Sequence, residues 1–134
     1  MKIGLLGGSF DPIHKGHIEI ASEAITSLSL DSFYFIPTKN NPWKDNQNAP
    51  GASRKEMIEI AIHQDPKMKV CTIELDSLSN EKNYTIDTIH ALKKMYPDDT
   101  LYYLMGMDQA MAFEKWKNAE DISKLVQLVA FYRG

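Results

Sequence analysis

The stretch Gly7-Gly8-Ser9-Phe10-Asp11-Pro12-Ile13-His14-Lys15-Gly16-His17 gathers an adjacent glycine pair, a third glycine, a hydroxyl and two imidazoles into eleven residues. Adjacent glycines let a backbone pass close to an anion with no Cβ in the way. Ser9 adds a hydroxyl donor, and His14 and His17, three apart, share one face once a helix has begun. Free backbone N–H groups at a helix start complete an anion site. The chemistry these types support is phosphate binding. A zinc site would need three or four ligands, and the only other histidines, His63 and His90, fall in separate predicted helices. A merely structural loop would not need both histidines. The string is no Walker loop, which requires Gly-Lys-Ser/Thr after four intervening residues, and it lacks the third glycine of the dinucleotide fingerprint.

The elements around this string alternate between strand and helix. Ile3 to Leu6 is a short apolar run ending at the glycine pair, the pattern of a buried parallel strand. Ile18, Ala21, Ile25 and Leu28 follow at helical spacing. Phe33 to Ile36 predicts a second strand, bounded by Asp31-Ser32 and Pro37. Residues 38–52 predict a long polar loop, a common place for function. Ser53 and Glu56 form a capping-box signature opening a helix through Met57, Ile58, Ala61 and Ile62. Met68 to Leu75 is a third strand candidate. Thr85 is expected to cap a helix carrying Ile86, Ile89, Leu92 and Met95, stopped by Pro97. Leu101 to Met105 is the fourth strand, Asn118 and Asp121 open a short helix, and Val126 to Phe131 is the fifth strand. Repeated β-then-α order predicts an α/β fold: a Rossmann-like open parallel sheet of about five strands with flanking helices. The phosphate string then lies at the carboxyl end of a strand, where open α/β sheets bind ligands.

Composition bounds the rest. The 134 residues suit one domain spanning 1–134. A net charge of −3 argues against a general nucleic-acid binder, which needs a basic field, yet leaves room for a small anionic substrate. Cys71 cannot pair internally, and its apolar run Val70-Cys71-Thr72-Ile73 reads as a buried thiol and not a nucleophile. No stretch approaches the eighteen apolar residues of a membrane span, and Gly7-Gly8 interrupts any signal-peptide pattern, so a cytoplasmic location is the expectation.

The eleven-residue string resembles the signature of the HxGH nucleotidyltransferases, with His14-Lys15-Gly16-His17 as the tetrad. Within that superfamily it looks most like the bacterial nicotinate-nucleotide adenylyltransferases, and the resemblance continues along the whole chain. Ile36-Pro37-Thr38-Lys39-Asn40-Asn41-Pro42-Trp43-Lys44 is similar to the family's segment after the second strand, where many members carry His in place of Trp43. Asn83-Tyr84-Thr85-Ile86-Asp87-Thr88 resembles the family's Ser-Tyr-Thr-x-Asp-Thr, and Gly106-Met107-Asp108 its Gly-x-Asp. Lys115-Trp116 matches the tryptophan-bearing segment, although many members have Tyr where this chain has Lys117. Pantetheine-phosphate adenylyltransferases and the glycerol- or choline-phosphate cytidylyltransferases carry related, different versions of the first string.

What the resemblance implies is an enzyme of NAD biosynthesis that joins AMP from ATP to nicotinate mononucleotide, with Mg²⁺ accompanying the ATP. It assigns His14 and His17 to catalysis and, with Gly7, Gly8, Ser9, Phe10, Lys44, Gly106 and Asp108, to ATP. It assigns Tyr84, Thr85 and Trp116 to the pyridine nucleotide. Plainer roles stand beside these: a solvated loop lysine for Lys44, a helix cap for Tyr84-Thr85, a core aromatic for Trp116, and surface or helix packing for Arg54, which matches a family arginine. The partners implied are ATP and nicotinate mononucleotide, with no nucleic acid or membrane, and a homo-oligomer is compatible. The family normally continues past the fifth strand to an Ile-Ser-x-Thr-x-x-Arg segment at a late helix, absent from this sequence, so the chain reads as shortened or as a degenerate member lacking the C-terminal helical part. A different adenylyltransferase, or a nucleotide-binding module without turnover, are the competing readings.

Overall fold

The computed structural model describes residues 1–8, 10, 13–38, 50–76, 85–116 and 118–131, with residues 108 and 114 described by their backbone alone. Five strands alternate with helices: β1 (Lys2–Gly8), α1 (Lys15–Leu28), β2 (Ser32–Pro37), α2 (Gly51–Ile62), β3 (Met68–Val70), α3 (Thr85–Met95), β4 (Thr100–Gly106), α4 (Met107–Met111), a 3-10 turn (Phe113–Lys115), α5 (Ala119–Leu125) and β5 (Gln127–Phe131). They form one sheet in the order β3-β2-β1-β4-β5. All neighbours are parallel. The chain winds outward from β1 through β2 to β3, then crosses back to lay β4 on the other side of β1. This reversal opens a crevice at the carboxyl ends of β1 and β4, the expected ligand position in such sheets.

Side-chain alternation divides the core between the two faces of the sheet. Leu6, Phe33, Phe35 and Leu104 pack with Ala21 and Ala24 of α1 and Ile58 and Ile62 of α2. Ile3, Leu5, Ile36 and Leu101 pack with Ile86, Ile89 and Leu92 of α3 and Ile122 of α5. Gly4 opens space on the first face: a Cβ there would lie 2.6 Å from Phe33 Cδ2 and 2.7 Å from Leu30 Cδ1, both on fully buried side chains.

Several local expectations are corrected. α2 starts two residues before the Ser53–Glu56 box, after Pro50, with no side-chain cap; the Arg54 N–H donates to the Pro50 carbonyl at 3.1 Å, so Ser53 already lies inside the first turn. The proline ring fixes φ at the helix entry, and no side chain caps the first turn. β3 ends at Val70, well before Leu75. One further ladder bond, Cys71 N–H to the Phe35 carbonyl at 2.8 Å, follows, and then Thr72 closes a turn by donating its hydroxyl to Asp76 Oδ2 at 2.7 Å. Asn118 does precede α5, but in a left-handed conformation (φ 59°) and without a capping side-chain bond. Met95, the last member of the α3 stripe, is 59% exposed where the helix ends. The short α4 and the 3-10 turn had no sequence expectation. Among the described residues no helix is long and apolar enough to cross a membrane.

Candidate active site

Glycines 7 and 8 are the last residues of β1, in register with Ile36 and Pro37 of β2. No glycine of the chain's described part has a positive φ; among the described residues of this loop Phe10 is left-handed, at φ 48°. Such a conformation costs a residue with a Cβ roughly 1–2 kcal/mol. Burial of the ring offsets it: Phe10 is 2% exposed and meets Phe35 edge-on, with centroids 5.6 Å apart. Its other edge contact is His17, at 4.9 Å. Phe10 therefore pins the loop to the core and buttresses one of the two imidazoles.

His14 is the N-cap of α1, with extended backbone (φ −138°, ψ 176°). Its Nδ1 accepts from the Gly16 N–H at 3.1 Å, and His17 Nδ1 accepts from the His14 N–H at 3.1 Å. The two imidazoles thus form a reciprocal capping box in place of the usual Ser/Thr and Glu. A nitrogen that accepts from a backbone N–H carries no proton of its own, so each neutral ring bears its proton on Nε2. The rings lie 3.8 Å apart by centroid and 30° from parallel. Two Nε2–H donors, stacked at the positive end of a helix dipole with no acidic residue in its first turn, make an anion site.

Beside the loop, Thr38 N–H donates to the Gly8 carbonyl at 2.9 Å, and Arg54 Nη1 donates to the Thr38 carbonyl at 2.8 Å. Arg54 is 2% exposed, so the packing role is the one its place in α2 supports. Gly51 leaves room for it: a Cβ there would meet Arg54 Nη2 at 3.6 Å and Leu75 Cδ2 at 2.9 Å.

The opposite wall belongs to the α3 face. Thr85 is the first residue of α3 and not its cap. Tyr103 is held above the ordinary tyrosine range, first by burial. Trp116 closes the 3-10 turn, partly buried, with Tyr103 edge-on at 6.2 Å and Phe113 at 5.2 Å. Thr88, one turn beyond Thr85, donates its hydroxyl to Glu74 Oε2 at 3.1 Å. Burial pushes the Glu74 carboxyl up, with the Thr88 bond opposing. Gly106 ends β4, and its N–H donates to Gln109 Oε1 at 3.3 Å.

The structure brings Gly7, Gly8, Phe10, His14 and His17 to one side of the crevice and Thr85 and Trp116 to the other. Gly106 and the backbone of Asp108 follow β4 at its carboxyl end. Ser9, Lys44 and Tyr84 lie outside the described residues, as do Trp43 and Lys117. Sequence reasoning missed Tyr103, Glu74 and Gln109. The available signal for Tyr103 was a phenol inside a central strand, since a buried tyrosine hydroxyl requires a partner. Cys71 is half-buried and its thiol is pushed up by that burial, in keeping with an unreactive role. Among the described residues no group of three or more His, Cys, Asp or Glu could hold a metal. The imidazole pair uses its Nδ1 lone pairs on backbone N–H groups, so its chemistry toward a ligand is that of N–H donors, which suits phosphate oxygens.

A parallel sheet with this strand order and an imidazole pair at the first strand-to-helix turn define a nucleotidyltransferase, and the chain matches the Cytidylyltransferase-like family over residues 5–134. It is 41% identical over 133 residues to a probable nicotinate-nucleotide adenylyltransferase of Shouchella clausii, covering 98% of this chain and 68% of that protein. It is 34% identical to the nicotinate-nucleotide adenylyltransferase of Bacillus subtilis, covering 98% of this chain and 69% of that protein. The chain accordingly belongs to the nicotinate-nucleotide adenylyltransferase family, transferases of NAD biosynthesis. Its fold is shared with the Plasmodium falciparum nicotinic acid mononucleotide adenylyltransferase complexed with NaAD, at TM-score 0.80 and 23% identity, over 99% of this chain and 65% of that one. The chain thus spans about two thirds of the length of these proteins. Nucleotidyltransferases of this family generally need a divalent metal with ATP.

Proposed function

We propose that this chain catalyses attack of the nicotinate mononucleotide phosphate on the α-phosphorus of ATP. A new phosphoric anhydride forms, the α–β anhydride bond breaks, and pyrophosphate leaves with the displaced electron pair. The observation that carries the reading is the reciprocal histidine cap, in which both Nδ1 atoms accept backbone N–H groups at a helix N-terminus and each neutral ring carries its proton on Nε2. No protein nucleophile is required; positioning and charge stabilisation supply the catalysis. His14 and His17 donate to ATP phosphate oxygens, and His17 stabilises the charge that develops as the bond breaks. Gly7 and Gly8 shape the loop, with Ser9 and Phe10 adding donors and Lys44 a cation for the phosphates. Gly106 and Asp108 serve the adenosine, a carboxylate being suited to ribose hydroxyls. Tyr84 and Thr85 hold the nicotinate carboxylate, and Trp116 offers a face to the electron-poor pyridine ring. Mg²⁺ accompanying ATP would supply charge neutralisation at the triphosphate, beside the donors of His14 and His17.

Pyrophosphate release from Mg-ATP, measured with nicotinate mononucleotide, nicotinamide mononucleotide and phosphopantetheine in parallel, tests this reading. Release with nicotinate mononucleotide in clear preference to the others is expected. Release driven best by phosphopantetheine, or ATP binding with silence in all three, would overturn it.

A further inference from the structure

The connection leaving β3 is built to hold one carboxyl in place. Cys71 N–H donates to the Phe35 carbonyl at 2.8 Å, which carries the chain one step past β3 along the edge of β2. The next five residues close a turn twice over. Asp76 N–H donates to the Thr72 carbonyl at 2.8 Å, and the Thr72 hydroxyl donates to Asp76 Oδ2 at 2.7 Å. Glu74 sits at the middle of that turn, half-buried, and Ile73 beside it packs into the cluster that holds Ile86 and Ile89 of α3. Glu74 Oε2 accepts from the Thr88 hydroxyl at 3.1 Å. Thr88 is 7% exposed, so little water reaches that hydroxyl. An apolar side chain at position 74 would pack without the desolvation cost, so what explains the carboxyl is what it bonds. Thr88 stands one turn after Thr85, on the same face of α3. A chain of bonds therefore runs from β2 through the turn to the part of α3 that carries Thr85. The same β2 pairs at Ile36 and Pro37 with Gly7 and Gly8.

We propose that Glu74 is a positioning residue: by accepting from Thr88 it fixes the first turns of α3, and with them Thr85, relative to the β2 and β1 side of the crevice. It touches no substrate. That the fixed turn serves the mononucleotide rests on the proposed function, but the bond itself is a property of the unliganded protein. The α1 side does not depend on it, because the bonds orienting His14 and His17 close within their own segment.

Glu74→Leu removes the acceptor, Thr88→Val removes the donor and nearly keeps its shape, and Glu74→Gln leaves an acceptor oxygen in place. Hydrogen–deuterium exchange on the unliganded full chain should rise about fivefold in segments 72–76 and 86–92 for the first two variants, above any change in α1 on the other face of the sheet. Glu74→Gln should stay within about twofold of the parent, since one net hydrogen bond is the whole effect. The double variant Glu74→Leu with Thr88→Val should exceed neither single one, because one bond carries both effects. In turnover, Glu74→Leu and Thr88→Val should each raise the KM for nicotinate mononucleotide about fivefold while kcat and the KM for ATP stay near their starting values, with Glu74→Gln again close to the parent. Exchange that is unchanged, or that rises equally in α1, would overturn the proposal. So would a Glu74→Gln chain as impaired as Glu74→Leu, additive effects in the double variant, or a KM for ATP that rises in step. Thr88→Val decides alone should Glu74→Leu fail to fold. A parent chain that releases no pyrophosphate would count against the functional reading alone, since the exchange results are obtained without substrate.

Discussion

The two sides of the crevice are built in opposite ways. On the α1 side, the bonds that orient the imidazoles close within three residues, His14 N–H to His17 and Gly16 N–H to His14. On the α3 side, Thr85, Tyr103 and Trp116 come from three separate elements and meet only through tertiary packing. The first side is a local motif whose chemistry travels with its sequence. The second depends on strand order, since β4 must return beside β1 before Tyr103 can face Gly7. The two sides should therefore fail differently: substitutions on the α1 side should remove chemistry, and those on the α3 side should loosen binding of one substrate.

The largest effect expected is from His17→Asn. Its side-chain oxygen can take over the Nδ1 acceptor position, so the cap survives while the Nε2–H donor is lost. Steady-state kinetics should show kcat down by about 10²–10³, the scale of one removed charge-stabilising donor, with KM little changed. A rise in KM with kcat untouched would assign His17 to ground-state binding instead. Next comes Trp116→Ala, for which the KM of the mononucleotide should rise about tenfold with ATP unaffected, given one lost aromatic contact. Equal losses for both substrates would mean that Trp116 acts only as a core aromatic beside Tyr103 and Phe113.

Phe10 offers a sharper test of how the α1 side is held. Phe10→Gly and Phe10→Ala both lose the ring, yet only glycine relieves the left-handed backbone. Denaturant unfolding should find the glycine variant more stable by about 1 kcal/mol, a difference opposite in sign to that at ordinary positions. The smallest effect belongs to Glu74→Gln. The Glu74 carboxyl is raised in the folded state, so the folded chain binds its proton more tightly than the unfolded chain does. That group's contribution is most favourable below its unfolded value and declines as pH rises through the folded one. Thermal melts should show Glu74→Gln gaining slightly on the parent as pH rises above the ordinary carboxylate range, with no such trend below it.

The contrast also explains what the sequence made legible. Five strands, four of the helices and the parallel order follow from apolar runs and spacing, and the histidine pair is contiguous with its own capping partners. The boundaries that slipped were those set by other groups: Pro50 started α2 ahead of Ser53, and the Thr72–Asp76 turn ended β3. Glu74 was invisible because its Thr88 contact lies on α3, and Tyr103 because its Trp116 contact lies beyond β4; no local pattern connects either pair. The strain at Phe10 was equally hidden, since an aromatic residue gives no sequence sign of a left-handed backbone.

The most direct test of the account is the protonation pattern of the two imidazoles, read by long-range ¹H–¹⁵N correlation on the ¹⁵N-histidine-labelled chain at neutral pH. His14 and His17 should both appear as the Nε2–H tautomer, with Nδ1 in the range of an unprotonated, hydrogen-bonded nitrogen. A proton on Nδ1 of either ring would mean that the reciprocal cap is not formed and that the paired phosphate donors are not fixed as described.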